Sequence, residues 1–146
     1  MPIVKVDAAI EAAAERVWDA VKAVEDYPAF MESVRDVRIE DDLGGGSRLT
    51  RWSVLLKGSV LEWTERETIR EDVRRLEFEQ VDGDLDRFAG AWSVHDHGDG
   101  GCTVRLDVDF DIGIPLLAEM LNPVAARALR DNSQQMLREI ERQVAA

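Results

Sequence analysis

The sequence lacks the features that mark several classes of protein. Its single cysteine, Cys102, has no partner for an internal disulfide. The N-terminus has no apolar segment of signal-peptide length, and no apolar run approaches the ~20 residues that a membrane-spanning helix needs. Internal repeats, low-complexity tracts and a glycine-rich phosphate loop between a strand and a helix are also missing. We therefore expect a cytoplasmic protein with no nucleotide-binding loop.

Basic residues are scarce relative to acidic ones. The chain has 18 lysines and arginines against 30 aspartates and glutamates, a formal net charge of −12. Because phosphate backbones and anionic lipid surfaces repel such a charge, nucleic acids and membranes are disfavoured as partners, and so is an RNA-rich ribosome. A small neutral or weakly acidic ligand in an apolar cavity remains compatible with this composition.

The length and hydrophobicity of the chain suit one folded domain. With 146 residues, 45% of them hydrophobic, the sequence has enough apolar side chains for a core and no sign of a second domain. We expect a single domain over residues 1–146.

The clearest pattern lies in the C-terminal third. From Cys102 onward, apolar and polar residues alternate through Ile112, which is typical of an antiparallel strand with one face in water. A long helix then follows Pro115 and ends the chain. Its apolar stripe matches the dry face of the strand and consists of Leu121, Ala125, Ala128, Leu129, Met136, Leu137, Ile140 and Val144.

Two polar residues interrupt that apolar stripe. Asn132 and Ser133 lie inside it, where an unpaired amide or hydroxyl costs roughly 1–3 kcal/mol. Their hydrogen-bond partner is therefore the protein, water or a ligand. Asn122-Pro123, near the start of the helix, predicts a kink or a short separate turn beside the mouth of a cavity.

The rest of the chain completes an α+β pattern. A first strand is predicted over Ile3–Ala9, a helix over Ala12–Val24 and a short helix over Tyr27–Val34, with strands separated by glycine turns from Val37 to Ile112. Short turns predict hairpins and an antiparallel sheet. We expect a curved sheet of about seven strands around the long C-terminal helix, with two short helices after strand 1 and a cavity between sheet and helix.

Four segments resemble the START-type helix-grip superfamily. They are Glu25–Phe30, Trp63–Arg66, Val81–Gly83 with Gly90–Trp92, and Asp107–Phe110. In order and spacing they are similar to the branch of polyketide cyclases and coenzyme Q-binding proteins. The resemblance implies a helix-grip fold with a ligand cavity.

The resemblance also implies site residues. In tetracenomycin-type aromatase/cyclases, an arginine at the position of Arg66 lies in the cavity and an asparagine matching Asn132 faces it from the helix. Strand alternation puts Glu62 and Thr64 on the same face as Arg66. We therefore expect Arg66 to stabilise an oxyanion, Glu62 to balance that charge or act as a base, Asn132 to orient a carbonyl and Thr64 to contact the ligand. The alternative is an arginine near the sheet edge that pairs with an acid.

Further ligand contacts are predicted along the cavity wall. Phe88 and Trp92 lie four residues apart on one strand face with Leu85 nearby, where the family places bulky residues, although such aromatics are commonly core. Phe110, Ser133 and Met136 are added from the C-terminal strand and helix. Leu61 and Trp63 are placed on the outer face of the sheet, as a homodimer patch or as packing under a loop.

No metal or cofactor is expected. His95 and His97 share a strand face, but the glycines after them indicate a solvated hairpin tip, and a catalytic zinc usually needs three protein ligands. Two functions stay open. One is binding and cyclisation of a hydrophobic, oxygen-bearing molecule such as a polyketide intermediate; the other is non-catalytic carriage of a quinone or lipid.

Overall fold

The fold is a seven-stranded sheet that grips one long helix. The computed structural model describes residues 3–56, 58–111 and 118–145. The strands are β1 (Ile3–Ile10), β2 (Val34–Gly44), β3 (Ser47–Leu56), β4 (Ser59–Arg70), β5 (Arg75–Gly83), β6 (Arg87–Asp96) and β7 (Cys102–Asp111), and the helices are α1 (Ala14–Lys22), α2 (Tyr27–Phe30) and α3 (Ala118–Ala145). The predicted α+β helix-grip architecture is confirmed.

The sheet is antiparallel throughout, in the order β1-β7-β6-β5-β4-β3-β2. All strands after β2 follow their neighbours in the chain, as short hairpins require, and β1 closes the sheet by pairing with β7. Pairing is irregular at three places between β2 and β3 and at one between β4 and β5. Such bulges strengthen the local twist and help to curve the sheet around the helix.

Strand β7 shows why this sheet has a dry and a wet face. Its burial alternates as the sequence predicts, with Cys102, Val104, Leu106, Val108 and Phe110 buried. These side chains meet the apolar stripe of α3, in which Leu129, Leu137 and Ile140 are buried. Ile112 and the side chain of Leu121 lie outside the described residues.

Gly90 marks a close approach between two strands. A β-carbon at this position would lie 1.9 Å from the backbone oxygen of Asp107 and 2.9 Å from the ring of Phe78. Only glycine lets β6 pass β7 at this distance while Phe78 packs beneath it.

Two local predictions need correction. The second helix ends at Phe30, and β2 begins at Val34, because Val34 and Val37 point into the core as strand residues. Helix α3 includes Pro123, so within residues 118–145 the predicted short separate turn is instead part of the helix, and the predicted kink stays a prediction. Pro123 is the sixth residue of α3, and because it has no N–H it leaves one hydrogen bond to the preceding turn unmade.

Candidate ligand cavity

A cavity of about 60 Å³ lies between the sheet and α3. Thirteen of its sixteen lining residues are apolar, and the other three are Glu65, Asn132 and Ser133. The apolar members come from β3 to β7, the β5–β6 loop and α3: Trp52, Val54, Leu56, Leu61, Trp63, Phe78, Leu85, Phe88, Trp92, Leu106, Val108, Leu129 and Met136. This composition suits a mostly apolar ligand that is oriented by a few polar groups.

Aromatic rings form one continuous wall of the cavity. Trp52 and Trp63 are cross-strand partners whose ring planes are parallel to within 2°, with centroids 5.8 Å apart. Trp63 contacts Phe88 at 5.0 Å, and Phe88 contacts Phe78 at 5.5 Å. Rings packed at these distances hold each other in place, so the wall is largely pre-formed.

The face of β4 that lines the cavity is the one that the resemblance places on the outside of the sheet. Trp63, Glu65 and Glu67 are buried, whereas Glu62 and Arg66 are exposed. Because side chains alternate strictly along a strand, Arg66 and Trp63 cannot share a face. The expected position of Arg66 and Glu62 inside the cavity is therefore wrong, and so is the outer-face position of Leu61 and Trp63, which line the cavity.

Arg66 lies in an open groove on the outer face of the sheet. Its neighbours along the groove include Thr68, Arg75, Glu79 and Arg87. This surface carries both signs of charge and is open to solvent, as the alternative interpretation of Arg66 requires, but β4 is an internal strand and the described contacts include no ion pair of Arg66 with an acid.

Thr64 and Glu62 have structural contacts outside the cavity. The Thr64 hydroxyl accepts a bond from Arg51 Nη1 at 3.3 Å. The backbone N–H of Glu62 donates to Asp84 Oδ2 at 2.8 Å, and its carbonyl accepts from the Asp84 N–H at 3.1 Å. This double contact ties β4 to the β5–β6 loop beside Leu85, a half-buried residue of the cavity wall.

The other predicted contacts divide into two groups. The structure brings Leu85, Phe88, Trp92, Asn132, Ser133 and Met136 to the cavity. Phe110 is fully buried in the core and is not among the described residues that line the cavity. It lies on the dry face of β7, but full burial in that face does not by itself give access to the cavity.

Asn132 and Ser133 supply hydrogen-bonding groups from the helix. Asn132 Nδ2 lies 3.6 Å from the sulfur of Met136, a weak acceptor one turn further along α3. The Asn132 amide thus lies at the cavity. Among the described residues this weak contact is its one hydrogen bond, so most of its donors and acceptors remain free to bind a ligand. Ser133 is buried beside it.

Glu65 is the principal cavity residue that sequence reasoning missed. It is 3% exposed, and its Oε1 accepts a hydrogen bond from the Trp63 indole N–H at 2.7 Å. Burial, followed by the hydrogen bond to Glu67 and the charge of Glu67, raises the pKa of Glu65 well above its ordinary value. Burial and the neighbouring Glu67 therefore favour the neutral form of Glu65.

Glu67 lies behind Glu65 and is held by an arginine. It is fully buried, and its Oε1 accepts from Arg48 Nε at 2.7 Å in an ion pair. Arg48 also donates to the backbone carbonyl of Lys22 at 2.9 Å. Arg48 thus holds the Glu67 carboxylate behind the cavity wall and links β3 to the end of α1.

Tyr27 packs beside this carboxyl pair. Its hydroxyl donates to the carbonyl of Val21 at 2.6 Å, and its ring contacts Trp52 and Trp92 edge-on. Burial, followed by the charge of Glu67, raises the pKa of Tyr27 well above its ordinary value. Tyr27 therefore acts as a neutral hydrogen-bond donor within the core.

A signal for the true orientation of β4 was present in the sequence. Leu61, Trp63 and Ile69 are the large apolar residues of the strand and alternate onto one face, and apolar residues mark the core face of an antiparallel strand. This pattern predicts the opposite orientation of β4 from the one that the resemblance implies. Alternation puts Trp63 beside Glu65, but nothing in the spacing indicates that Glu67 would be satisfied inside, since its partner Arg48 becomes a neighbour only when β3 pairs with β4.

The histidine pair lies far from this chemistry. His95 and His97 are exposed, and His97 Nε2 is 2.7 Å from the Thr103 hydroxyl. In the described portion of the chain, no three His, Cys, Asp or Glu side chains are grouped to hold a metal ion. None of the described helices is long and apolar enough to cross a membrane.

Comparison with known proteins assigns the chain to a family. Residues 10–137 match the family described as polyketide cyclase / dehydrase and lipid transport. The chain belongs to this family. It is similar, at 30% identity over 125 residues, to the actinorhodin polyketide synthase bifunctional cyclase/dehydratase of Streptomyces coelicolor. The match covers 82% of this chain but only 39% of that relative.

Solved structures agree with the fold. The protein TTHA0849 from Thermus thermophilus superposes with a TM-score of 0.90 at 25% identity, covering 99% of this chain and 97% of that one. The Zhui aromatase/cyclase from a Streptomyces species superposes with a TM-score of 0.85 at 19% identity, covering 99% and 93%. At that identity the second likeness shows the fold alone.

Proposed function

We propose that this protein binds a hydrophobic, oxygen-bearing small molecule of polyketide type between its sheet and α3 and promotes its cyclisation or aromatisation. The observation that carries the proposal is the cavity itself, with an aromatic wall and three polar residues on two opposing elements, β4 and α3. The family supports the same class of ligand.

The chemistry asks little of the protein beyond placement. The methylene groups of a poly-β-ketone are already acidic, so ring formation depends mainly on holding the chain folded with one nucleophilic carbon near one carbonyl. Asn132 is proposed to orient a carbonyl from α3, with Ser133 beside it. Leu85, Phe88, Trp92 and Met136 are proposed to shape the apolar walls.

The size of the cavity adds a requirement. About 60 Å³ is less than the roughly 150 Å³ cavity that accommodates a benzene molecule. A polyketide-sized ligand therefore requires the helix side of the cavity to move. The long, unbranched side chain of Met136 on α3 is the most adaptable group there. Binding is expected to displace α3 or its side chains away from the sheet.

Product analysis of a poly-β-ketone-forming synthase, with and without this protein, tests the proposal. We expect liquid chromatography and mass spectrometry to show one dominant ring pattern with the wild type and with Arg66→Ala, whose side chain is outside the cavity. Asn132→Leu, which replaces the amide by an apolar group of similar size, is expected to lose that pattern.

A carrier function is the second candidate, favoured by the thirteen apolar residues among sixteen in the cavity lining. An unchanged product mixture together with saturable binding of a quinone or lipid would support carriage over cyclisation. An unchanged mixture and no binding would contradict both functions.

A further inference from the structure

Two buried carboxyl groups are neighbours on β4. Glu65 and Glu67 lie two residues apart on the same face of the strand, and two negative charges so close together in a buried site would repel each other. Glu67 Oε2 is buried, and no N–H or hydroxyl donor reaches it among the described residues. A proton on Glu65 resolves both observations, because the carboxylic acid can donate to that orphan oxygen.

The remaining contacts decide which member is neutral. Glu67 already has the Arg48 guanidinium at 2.7 Å, which stabilises a carboxylate. Glu65 has only the Trp63 indole N–H and the aromatic wall around it. Burial and the neighbouring Glu67 charge raise the pKa of Glu65, in agreement with this assignment.

Glu65 is also the member that reaches the cavity. It lines the cavity, whereas Glu67 does not and is fully buried. The Glu65 hydroxyl is occupied by Glu67, so the capacity left toward the cavity is that of the carboxyl lone pairs, which accept hydrogen bonds. The complementary group on a ligand is a hydroxyl.

We propose that Glu65 recognises the hydroxyl group of an uncharged phenol or enol by accepting its hydrogen bond, while Asn132 faces the ligand from the opposite wall. The inference rests on the proposed function, since it needs a ligand in the same cavity. It narrows the ligand class, because an anionic carboxylate or phenolate would meet the negative charge of Glu67 and no free cation among the described cavity-lining residues.

Phenol and toluene form a suitable pair of probes, because they differ by a hydroxyl in place of a methyl group. Because burial of the methyl group also favours toluene, the quantity to compare is the ratio of the phenol and toluene affinities in each variant. Glu65→Met removes the acceptor at similar size and is expected to lower this ratio about 2- to 10-fold, the range that one net hydrogen bond supplies. Glu62→Met, on the exposed face of the same strand, is expected to retain it.

Infrared spectroscopy supplies a readout that does not depend on the methionine variant. The wild type at neutral pH is expected to show the carbonyl stretch of a protonated carboxylic acid, which phenol shifts to lower frequency and toluene does not. Glu65→Gln is expected to lose this band. It should nevertheless keep the wild-type ratio of the two affinities, because the amide oxygen still accepts and the amide N–H still donates to Glu67.

The possible outcomes distinguish a failure of this inference from a failure of the proposed function. A phenol-to-toluene affinity ratio that Glu65→Met leaves unchanged, or a missing acid band at neutral pH, would overturn the role of Glu65 and leave the apolar cavity as the binding site. Binding of neither probe would contradict the cavity function as well. The ionisable groups acting on Glu65 in the described structure are Glu67, Arg48 and Tyr27, and Tyr27 remains neutral at the pH of these measurements.

Discussion

Trp63 and Glu65 project from the same face of β4, and the indole N–H of Trp63 donates to Glu65 Oε1 at 2.7 Å. The tryptophan therefore has two roles in the cavity wall. Its ring stacks on Trp52, and its polar edge holds a buried carboxyl group in a fixed orientation.

Removing that polar edge is expected to change the titration of Glu65. In Trp63→Phe the carboxylate form of Glu65 loses a donor, so the pKa of Glu65 should rise further, and the free energy of unfolding should fall by about 2–4 kcal/mol. Trp52→Phe is the matched control, because its N–H donates to Thr50 instead. An infrared titration that moves equally in both variants would contradict the specific role of the Trp63–Glu65 bond.

Because the pKa of Glu65 is raised in the folded protein, the free energy of unfolding is expected to depend on pH. Below about pH 4.3, the ordinary pKa of glutamate, the folded and unfolded states both hold its proton. Above that pH only the folded state does, so the free energy of unfolding falls as pH rises, by up to about 1.4 kcal/mol per unit, until Glu65 ionises in the folded protein.

Glu65→Gln should remove this slope while keeping the hydrogen bonds to Trp63 and Glu67. Chemical denaturation from pH 5 to 8 is expected to show the variant gaining stability relative to the wild type as pH rises. Glu62→Gln removes a carboxylate from the exposed face of the same strand and should keep the wild-type slope. A difference between Glu65→Gln and wild type that does not vary with pH would contradict a neutral Glu65.

Breaking the ion pair behind Glu65 is expected to be costly. Arg48→Met leaves the fully buried Glu67 without its cation, and such uncompensated charges cost about 3–5 kcal/mol. The double variant with Glu67→Gln should recover much of that loss, because the stranded charge is gone. Arg38→Met, which breaks an exposed pair with Asp36, should change the unfolding midpoint little. Equal effects of the Arg48 and Arg38 substitutions would contradict the assigned burial.

Enlarging the cavity should favour larger ligands. Met136→Ala removes a flexible wall residue and is expected to cost about 2–5 kcal/mol of stability while increasing the affinity for a two-ring aromatic such as naphthalene. Ile140→Ala is its control, because Ile140 is fully buried one turn further along α3 and does not line the cavity. Isothermal titration should show the affinity gain in the first variant alone.

The fold could be predicted from the sequence because its signals are local. Alternation in β7, the apolar stripe of α3 and the glycine turns each depend on neighbouring residues, and together they specify a sheet that covers a helix. The apolar stripe likewise predicts Asn132 and Ser133 on the inner face of α3, and strand position together with the resemblance predicts Phe88 and Trp92 on the sheet; all four line the cavity, and their roles toward a ligand stay predictions.

The polar chemistry of the site could not be predicted in this way. A glutamate on an apolar strand face is ordinarily evidence against burial. The Trp63 indole N–H bonds Glu65, and the cation that pairs with Glu67 is Arg48 on the neighbouring strand, which only the pairing of β3 with β4 brings into place. Arg66, in contrast, was placed by resemblance, and a one-residue difference along a strand moves a side chain to the opposite face.

The central claim is that the ligand enters between the sheet and α3, and the four tryptophan indole N–H signals test it directly. We would record ¹H–¹⁵N spectra during titration with toluene and phenol, assigning the signals with single Trp→Phe variants. Trp52, Trp63 and Trp92 line the cavity, whereas Trp18 lies outside it with its N–H bonded to Glu71. We predict saturable shifts of the first three signals and an unchanged Trp18. A shift confined to Trp18, or no shift at all, would contradict the assignment.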